Sequence, residues 1–306
     1  MVKIVRIYLS IMFLLSLTLK AQQDDQLSQY PFNPLAVNPA YAGCKGGFSG
    51  VVSARNQWSG FDGAPKTAAL CLHASLKDNK MGIGLRLRDE KNVFDQKIEA
   101  SLCYAYRLKV SNGKLAFGIS AGISNINYNW FNIELKDKAD KYANLQKTNV
   151  LLPRVDAGIL FNNQKSYLSI SGTHLFDFSS KNIDPSYYNS NLSTHLYFIY
   201  SRAIKLNDNF TLNPALNMKW AKADNVAVDL NMYAKIKELF WVGLGYRTNN
   251  TLIFLAQIMI NKKYKIGYSY DYFMNTKTLG QYPTHEIILG FDLNMFKSNS
   301  MSFRYF

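Results

Sequence analysis

Apolar residues alternate with small or polar ones along almost this whole chain, and a period of two is the signature of strands with one oily and one wet face. Leu212, Pro214, Leu216, Met218 and Trp220 are apolar, while Thr211, Asn213, Asn217 and Lys219 fill the gaps. The pattern recurs at Ile98, Ala100, Leu102, Tyr104, Tyr106 and Leu108 against Glu99, Ser101, Arg107 and Lys109, and again from Tyr264 to Tyr272. It predicts about fourteen strands, at residues 48–57, 66–75, 81–88, 97–109, 114–129, 154–162, 166–175, 195–206, 210–221, 225–236, 239–248, 251–260, 263–273 and 285–294. Strands of roughly ten residues cross a bilayer when tilted. The expected fold is therefore all-β, a transmembrane antiparallel up-and-down β-barrel.

The connectors sort into two sets. Every second one is tight, at Asp78-Asn79, Ser111-Asn112-Gly113, Asn162-Asn163, Asn207-Asp208-Asn209, Lys237-Glu238 and Asn261-Lys262, where Asn, Asp and Gly suit hairpin turns. The long ones, at residues 58–65, 89–96, 130–152, 176–194 and 274–284, all fall in the other set, although two connectors there, near Asp224 and Asn249-Asn250, are short. Outer-membrane barrels have short periplasmic turns and long external loops, whereas a soluble sandwich has no reason for this parity. An even strand count puts both barrel ends in the periplasm. Trp220 and the column Tyr268, Tyr270, Tyr272 then lie at outer strand ends, as a lipid-facing girdle does, though tyrosines are also good strand formers in any sheet.

Composition narrows the class further. With 48% hydrophobic and 18% charged residues the chain is too apolar for disorder. Its 35 Lys+Arg against 21 Asp+Glu give a formal charge of +14, but the basic residues are scattered along the sequence, so nucleic acid is not the expected partner. Cys44, Cys71 and Cys103 form neither a disulfide framework nor a zinc spacing. Lys3 and Arg6 precede an apolar run at residues 7–19, with Ala21 before Gln22, which reads as a signal peptide over residues 1–21 for Sec export. Residues 22–47 form a segment rich in Asn-Pro steps, residues 48–294 the barrel and residues 295–306 a basic tail ending in Phe306.

The segment Gln29-Tyr30-Pro31-Phe32-Asn33-Pro34-Leu35-Ala36-Val37-Asn38-Pro39-Ala40-Tyr41-Ala42-Gly43 resembles the N-terminal signature of the PorP/SprF family of type IX secretion and gliding-motility outer-membrane proteins of Bacteroidetes. So do Gln57-Trp58 with Phe61-Asp62-Gly63-Ala64-Pro65-Lys66-Thr67, Gly267-Tyr268-Ser269-Tyr270-Asp271-Tyr272 and His285-Glu286-Ile287-Ile288-Leu289. These matches lie in order and span most of the chain. The resemblance implies an outer-membrane barrel linked to the type IX machinery, in some members paired with a secreted adhesin. Cys44, where a small or polar residue is expected, and the tail after Asn294 depart from that pattern.

No catalytic, metal or cofactor site is expected. His73, His174, His195 and His285 are far apart, and HExxH and P-loop patterns are absent. A Ser-His-acid hydrolase built around His73 or His285 is the enzymatic alternative, and hydrogen-bonded barrel histidines are the ordinary case. Parity puts Arg55, Arg86, Arg88, Glu99, Arg107, Asp156, Lys219, Asp229, Asp271 and Asp292 on the inner face, solvated in an open pore or paired in a plugged one. Residues 22–47 either fold inward as a plug, lie against the rim, or form an extended linker. The leading functional expectation is a noncatalytic platform docking type IX components or a secreted adhesin, with outer-membrane lipid around it. The candidate partner-binding residues are Trp58, Phe61, Asp62 and Trp130 on outer loops and Asn33, Pro34, Asn38, Pro39 and Tyr41 in the N-terminal block. For the loop aromatics membrane-interface anchoring is the alternative, and for the whole protein a passive channel or small-solute transporter.

Overall fold

The computed structural model describes residues 27–77, 79–128, 148–176, 193–221, 226–274 and 282–293. The expected signal peptide, Trp130 and the basic tail lie outside them. Among the described residues the strands are β1 (Phe48–Asn56), β2 (Lys66–Leu76), β3 (Met81–Lys91), β4 (Asp95–Val110), β5 (Gly113–Tyr128), β6 (Thr148–Asn162), β7 (Ser166–Thr173), β8 (His195–Arg202), β9 (Ile204–Lys205), β10 (Phe210–Ala221), β11 (Ala227–Ile236), β12 (Phe240–Arg247), β13 (Thr251–Ile260), β14 (Tyr264–Phe273) and β15 (Thr284–Leu293). Each pairs antiparallel with its sequence neighbours, except that β8 and β9 both pair with β10 and not with each other, and β15 returns to β1 through the register Phe48↔Leu293 to Asn56↔His285. The sheet has no edge, so this is a closed up-and-down barrel.

Fifteen segments make fourteen staves because β8 and β9 are one strand interrupted at Ala203. The register Ala215↔Ser201 resumes as Leu212↔Ile204, which brings Pro214 opposite Arg202, the last residue before the break. Proline has no N–H to give the ladder. The Ala203 N–H faces the other neighbour and donates to the Lys165 carbonyl (2.7 Å), one step beyond the Ser166↔Arg202 pair of the β7–β8 ladder. Pro153 has the opposite effect on the sequence reading: β6 starts at Thr148 rather than Arg154, because its ladder with β5 runs unbroken through Pro153 and the missing N–H falls on the side away from β5. The strands beside residues 89–96 also run further than their alternation indicates, so the long connector expected there shrinks to residues 92–94, closed by Asn92 Oδ1 accepting from Phe94 N and Asp95 N.

The faces divide as the alternation requires. Leu102, Ile119, Leu230, Leu244 and Leu289 are exposed outward, while Thr211, Asn213, Asn217 and Lys219 are buried inward. Residues 27–47 are inside the ring. Asn33-Pro34 and Asn38-Pro39 each open a 3-10 turn, with the proline at the first position, where no N–H is needed. Tyr30, Leu35, Val37, Ala40, Tyr41 and Ala42 are buried against Cys71, Cys103, Ala105, Ala116, Leu160, Tyr167, Tyr197 and Ile199 of the wall.

Candidate functional site

The inserted segment fits a track of inward glycines. A Cβ on Gly82 would lie 1.9 Å from the Ala42 oxygen, one on Gly118 2.1 Å from the Ala40 nitrogen, and one on Gly158 2.1 Å from Asn38 Oδ1. The wall thus forgoes side chains where the segment's backbone passes. Asn38 is fully buried and donates through Nδ2 to Ser169 Oγ (2.7 Å) and the Ile159 carbonyl (3.1 Å), while its Oδ1 accepts from Ala40 N (2.8 Å). Arg107 donates to the carbonyls of Ala42, Asn79 and Met81, clamping the segment to a tight turn. Tyr41 packs edge-on against His73, whose Nδ1 accepts from Gly43 N (3.1 Å). Cys44 is buried with its sulfur accepting from Asn162 Nδ2. Three cavities bordered by this segment or its neighbours measure about 30, 30 and 40 Å³, room for roughly a water or two each.

Towards the long-loop end, two ionic networks flank the plug. Arg55 bridges Asp271 (2.8 Å) and Glu286 (3.1 Å), and Arg247 bridges Asp229 (2.8 Å) and Asp271 (3.5 Å). Ser28 joins them by donating Oγ–H to Asp271 (2.7 Å) and N–H to Glu286 (2.9 Å), and Asn231 donates to the Tyr30 hydroxyl (2.7 Å). On the other side Arg86 pairs with Asp156, and Arg154 with both Glu99 and Asp156. Charges taken out of water need such partners. The ten inward charges read from the sequence do face the lumen, but Arg154, Arg247 and Glu286 were missed there. Parity alone could have found Arg154, since it is two residues from Asp156 on one strand. Ser124 Oγ and His174 Nε2 both meet the same Glu99 oxygen, at 2.9 and 3.1 Å, so they do not form a serine–histidine relay. His285 contacts the Tyr268 hydroxyl (2.7 Å).

The candidate partner residues separate into two places. Asn33, Pro34, Asn38, Pro39 and Tyr41 are buried in the lumen, where their contacts are spent within the chain. Trp58, Phe61 and Asp62 are on the loop after β1 at the opposite end from the tight turns. Trp58 packs on Phe273 and donates its backbone N–H to Thr284 Oγ1 (3.1 Å), while Ser59 N donates to the Pro283 carbonyl (2.7 Å). These bonds dock the loop on the β14–β15 connection. Phe61 stacks edge-on against Tyr282 (5.6 Å) yet stays 46% exposed. Asp62 is exposed beside it, and Phe94 of the next connector is 56% exposed, a residue the sequence reading did not single out.

A family model described as "Type IX secretion system membrane protein PorP/SprF" matches residues 19–291. No curated protein matches the chain. Among solved structures, the chain is similar to the outer membrane protein Omp33 of Acinetobacter baumannii (8% identity, 82% of this chain and 100% of that one, TM-score 0.48). It is also similar to the CymD monoaromatic hydrocarbon channel (9% identity, 85% and 91%, TM-score 0.48) and to a Rh. blastica porin variant (8% identity, 80% and 98%, TM-score 0.34). At these scores the structural likenesses carry no argument about activity.

Proposed function

The chain belongs to the PorP/SprF family of type IX secretion system membrane proteins, and from that premise we propose that it is a noncatalytic outer-membrane platform that docks secretion components or a secreted surface adhesin. It is located in the outer membrane, as its family and closed barrel require. The observation that carries the reading is a pair of exposed aromatics on adjoining outer connectors, Phe61 on a loop braced by Trp58 and Tyr282 and Phe94 on a turn closed by Asn92, above a lumen filled by the chain's own residues. Exposed aromatics on rigid loops are efficient anchors, because little side-chain freedom remains to be lost on binding. The filled lumen argues against the passive-channel alternative.

Replacing Phe61 with Ala removes an exposed anchor, and replacing Trp58 with Ala removes the brace on Phe273 that holds its loop, while every strand pairing stays in place. An anchor contributes about 2 kcal/mol, roughly a thirtyfold change in affinity. The expected result is a normally inserted, heat-modifiable barrel that no longer retains its co-purifying secretion component or adhesin from native membranes. A variant that keeps wild-type yields of that partner would remove this loop as the docking site.

Topology is tested without reference to any partner. An epitope inserted at Lys138 is expected to be reached by antibody on intact cells and one at Asn112 only after permeabilisation. Surface labelling at Asn112 would invert the assignment.

A further inference from the structure

The basic residues that look scattered along the sequence converge at one end of the barrel. The six tight turns, their flanking strand ends, Lys45 and Asp292 hold thirteen Lys or Arg and four acids, a surplus of nine out of the chain's fourteen. Each of the six turns or its flanks supplies at least one cation. We propose that this ring is a docking surface for an acidic protein segment presented from the periplasm. The proposal concerns the end opposite the aromatic patch and stands independently of it.

Placement of the charges selects the kind of partner. Lys77, Lys80, Lys165, Lys237, Lys262 and Lys263 are at turn tips, and all are exposed with no ion pair among the described residues. Lys109, Lys114, Lys205, Lys235 and Lys265 take inward parity around the lumen mouth, beside Lys45 of the plug. Only Arg202 takes the outward, lipid-facing parity. A ring built for phospholipid headgroups would place its cations outward, whereas this one faces along the barrel axis.

Two features show that the chain bears a cost for this charge. Lys109 and Lys114 are directly opposite in the β4–β5 ladder, and like charges so placed repel. Lys77, Lys237 and Lys262 adopt φ of 46°, 49° and 54°, a left-handed conformation in which Gly or Asn is less strained. The described acids at this end are already engaged: Asp292 by Lys45 (2.6 Å), Asp208 by Lys205 (2.6 Å) and Glu238 by Lys235 (3.9 Å). The exposed lysines at the turn tips are thus left in surplus for an acidic partner, and such pairing speeds and orients docking more than it tightens it.

The test places a photo-crosslinking residue at Lys237 or Lys263 of the full chain in native outer membranes, with Lys66 at the opposite rim as control. Expected is a crosslink from the two turn positions to a periplasmic protein through a segment rich in Asp and Glu. Its yield should fall at least about tenfold on charge reversal at Lys77, Lys165, Lys237 and Lys262, and weaken with added salt. The reversed residues are in turns, and heat-modifiable mobility checks that the barrel still assembles. Reversal at Lys66 and Lys91, at the other end, should change nothing. Crosslinking to peptidoglycan or to phospholipid, to a protein segment without an acidic surplus, to nothing at all, or with a yield indifferent to the four reversals would each overturn the proposal.

Discussion

Gly118→Val is expected to turn a silent barrel into an ion-conducting one. Gly118 is on the inner face of β5, paired with Ala105 on one side and Gly158 on the other, so both neighbouring ladders hold its backbone in place. A Cβ there would approach Ala40 N to 2.1 Å and Ala40 Cα to 2.3 Å, and both are backbone atoms that cannot rotate away. Overpacking of this kind costs roughly 1–3 kcal/mol even where side chains can adjust. The inserted segment must yield, because it is held by side-chain hydrogen bonds and packing whereas β5 is held by two continuous ladders. Planar-bilayer recordings should show no open events for the wild type and sustained conductance for the variant, with deletion of residues 27–44 as the reference for an emptied lumen. Conductance of the wild type equal to that of the deletion would mean that these residues do not close the barrel, and would put the channel reading ahead of the docking one.

The barrel was legible because strand alternation is a local property, and each segment such as residues 210–221 carries its own evidence of which face is wet. The position of the Asn-Pro block was not. Asn33-Pro34 and Asn38-Pro39 specify 3-10 turns locally, and the same turns could sit on a rim or in a linker. What fixes them inside is a set of partners more than a hundred residues away, such as Ile159 and Ser169 for Asn38. A signal did exist, since Gly82, Gly118 and Gly158 interrupt the inner faces of their strands with missing side chains, which marks a close backbone approach. The lysine ring was hidden for a related reason. Each turn contributes one or two cations, and their sum acquires meaning only after the hairpins are stood side by side.

Charge on the outer wall should be far more costly than charge at its lower margin, and Leu230→Arg measures that difference. Leu230 is 57% exposed and lies in the register Leu216↔Leu230↔Tyr246, among staves whose outward residues are apolar above and below it. An arginine at this depth must be dehydrated or distort the bilayer, for about 2–4 kcal/mol at the midplane and close to nothing at the interface. The matched control is Leu206→Arg, since Leu206 is 60% exposed but sits on the tight turn after β9, where headgroups and water can reach the guanidinium. The inward neighbour Asn231, which parity alone offers as the harmless site for a charge, is unsuitable. It is buried and donates to the Tyr30 hydroxyl, so an arginine there would meet the plug instead of water. Reversible unfolding from detergent or lipid, followed by the heat-modifiable shift, should therefore show a large loss for Leu230→Arg and a small one for Leu206→Arg. Equal losses would mean that Leu230 does not face the hydrocarbon core. A larger loss for Leu206→Arg would place the membrane-spanning band lower on the barrel than the register implies.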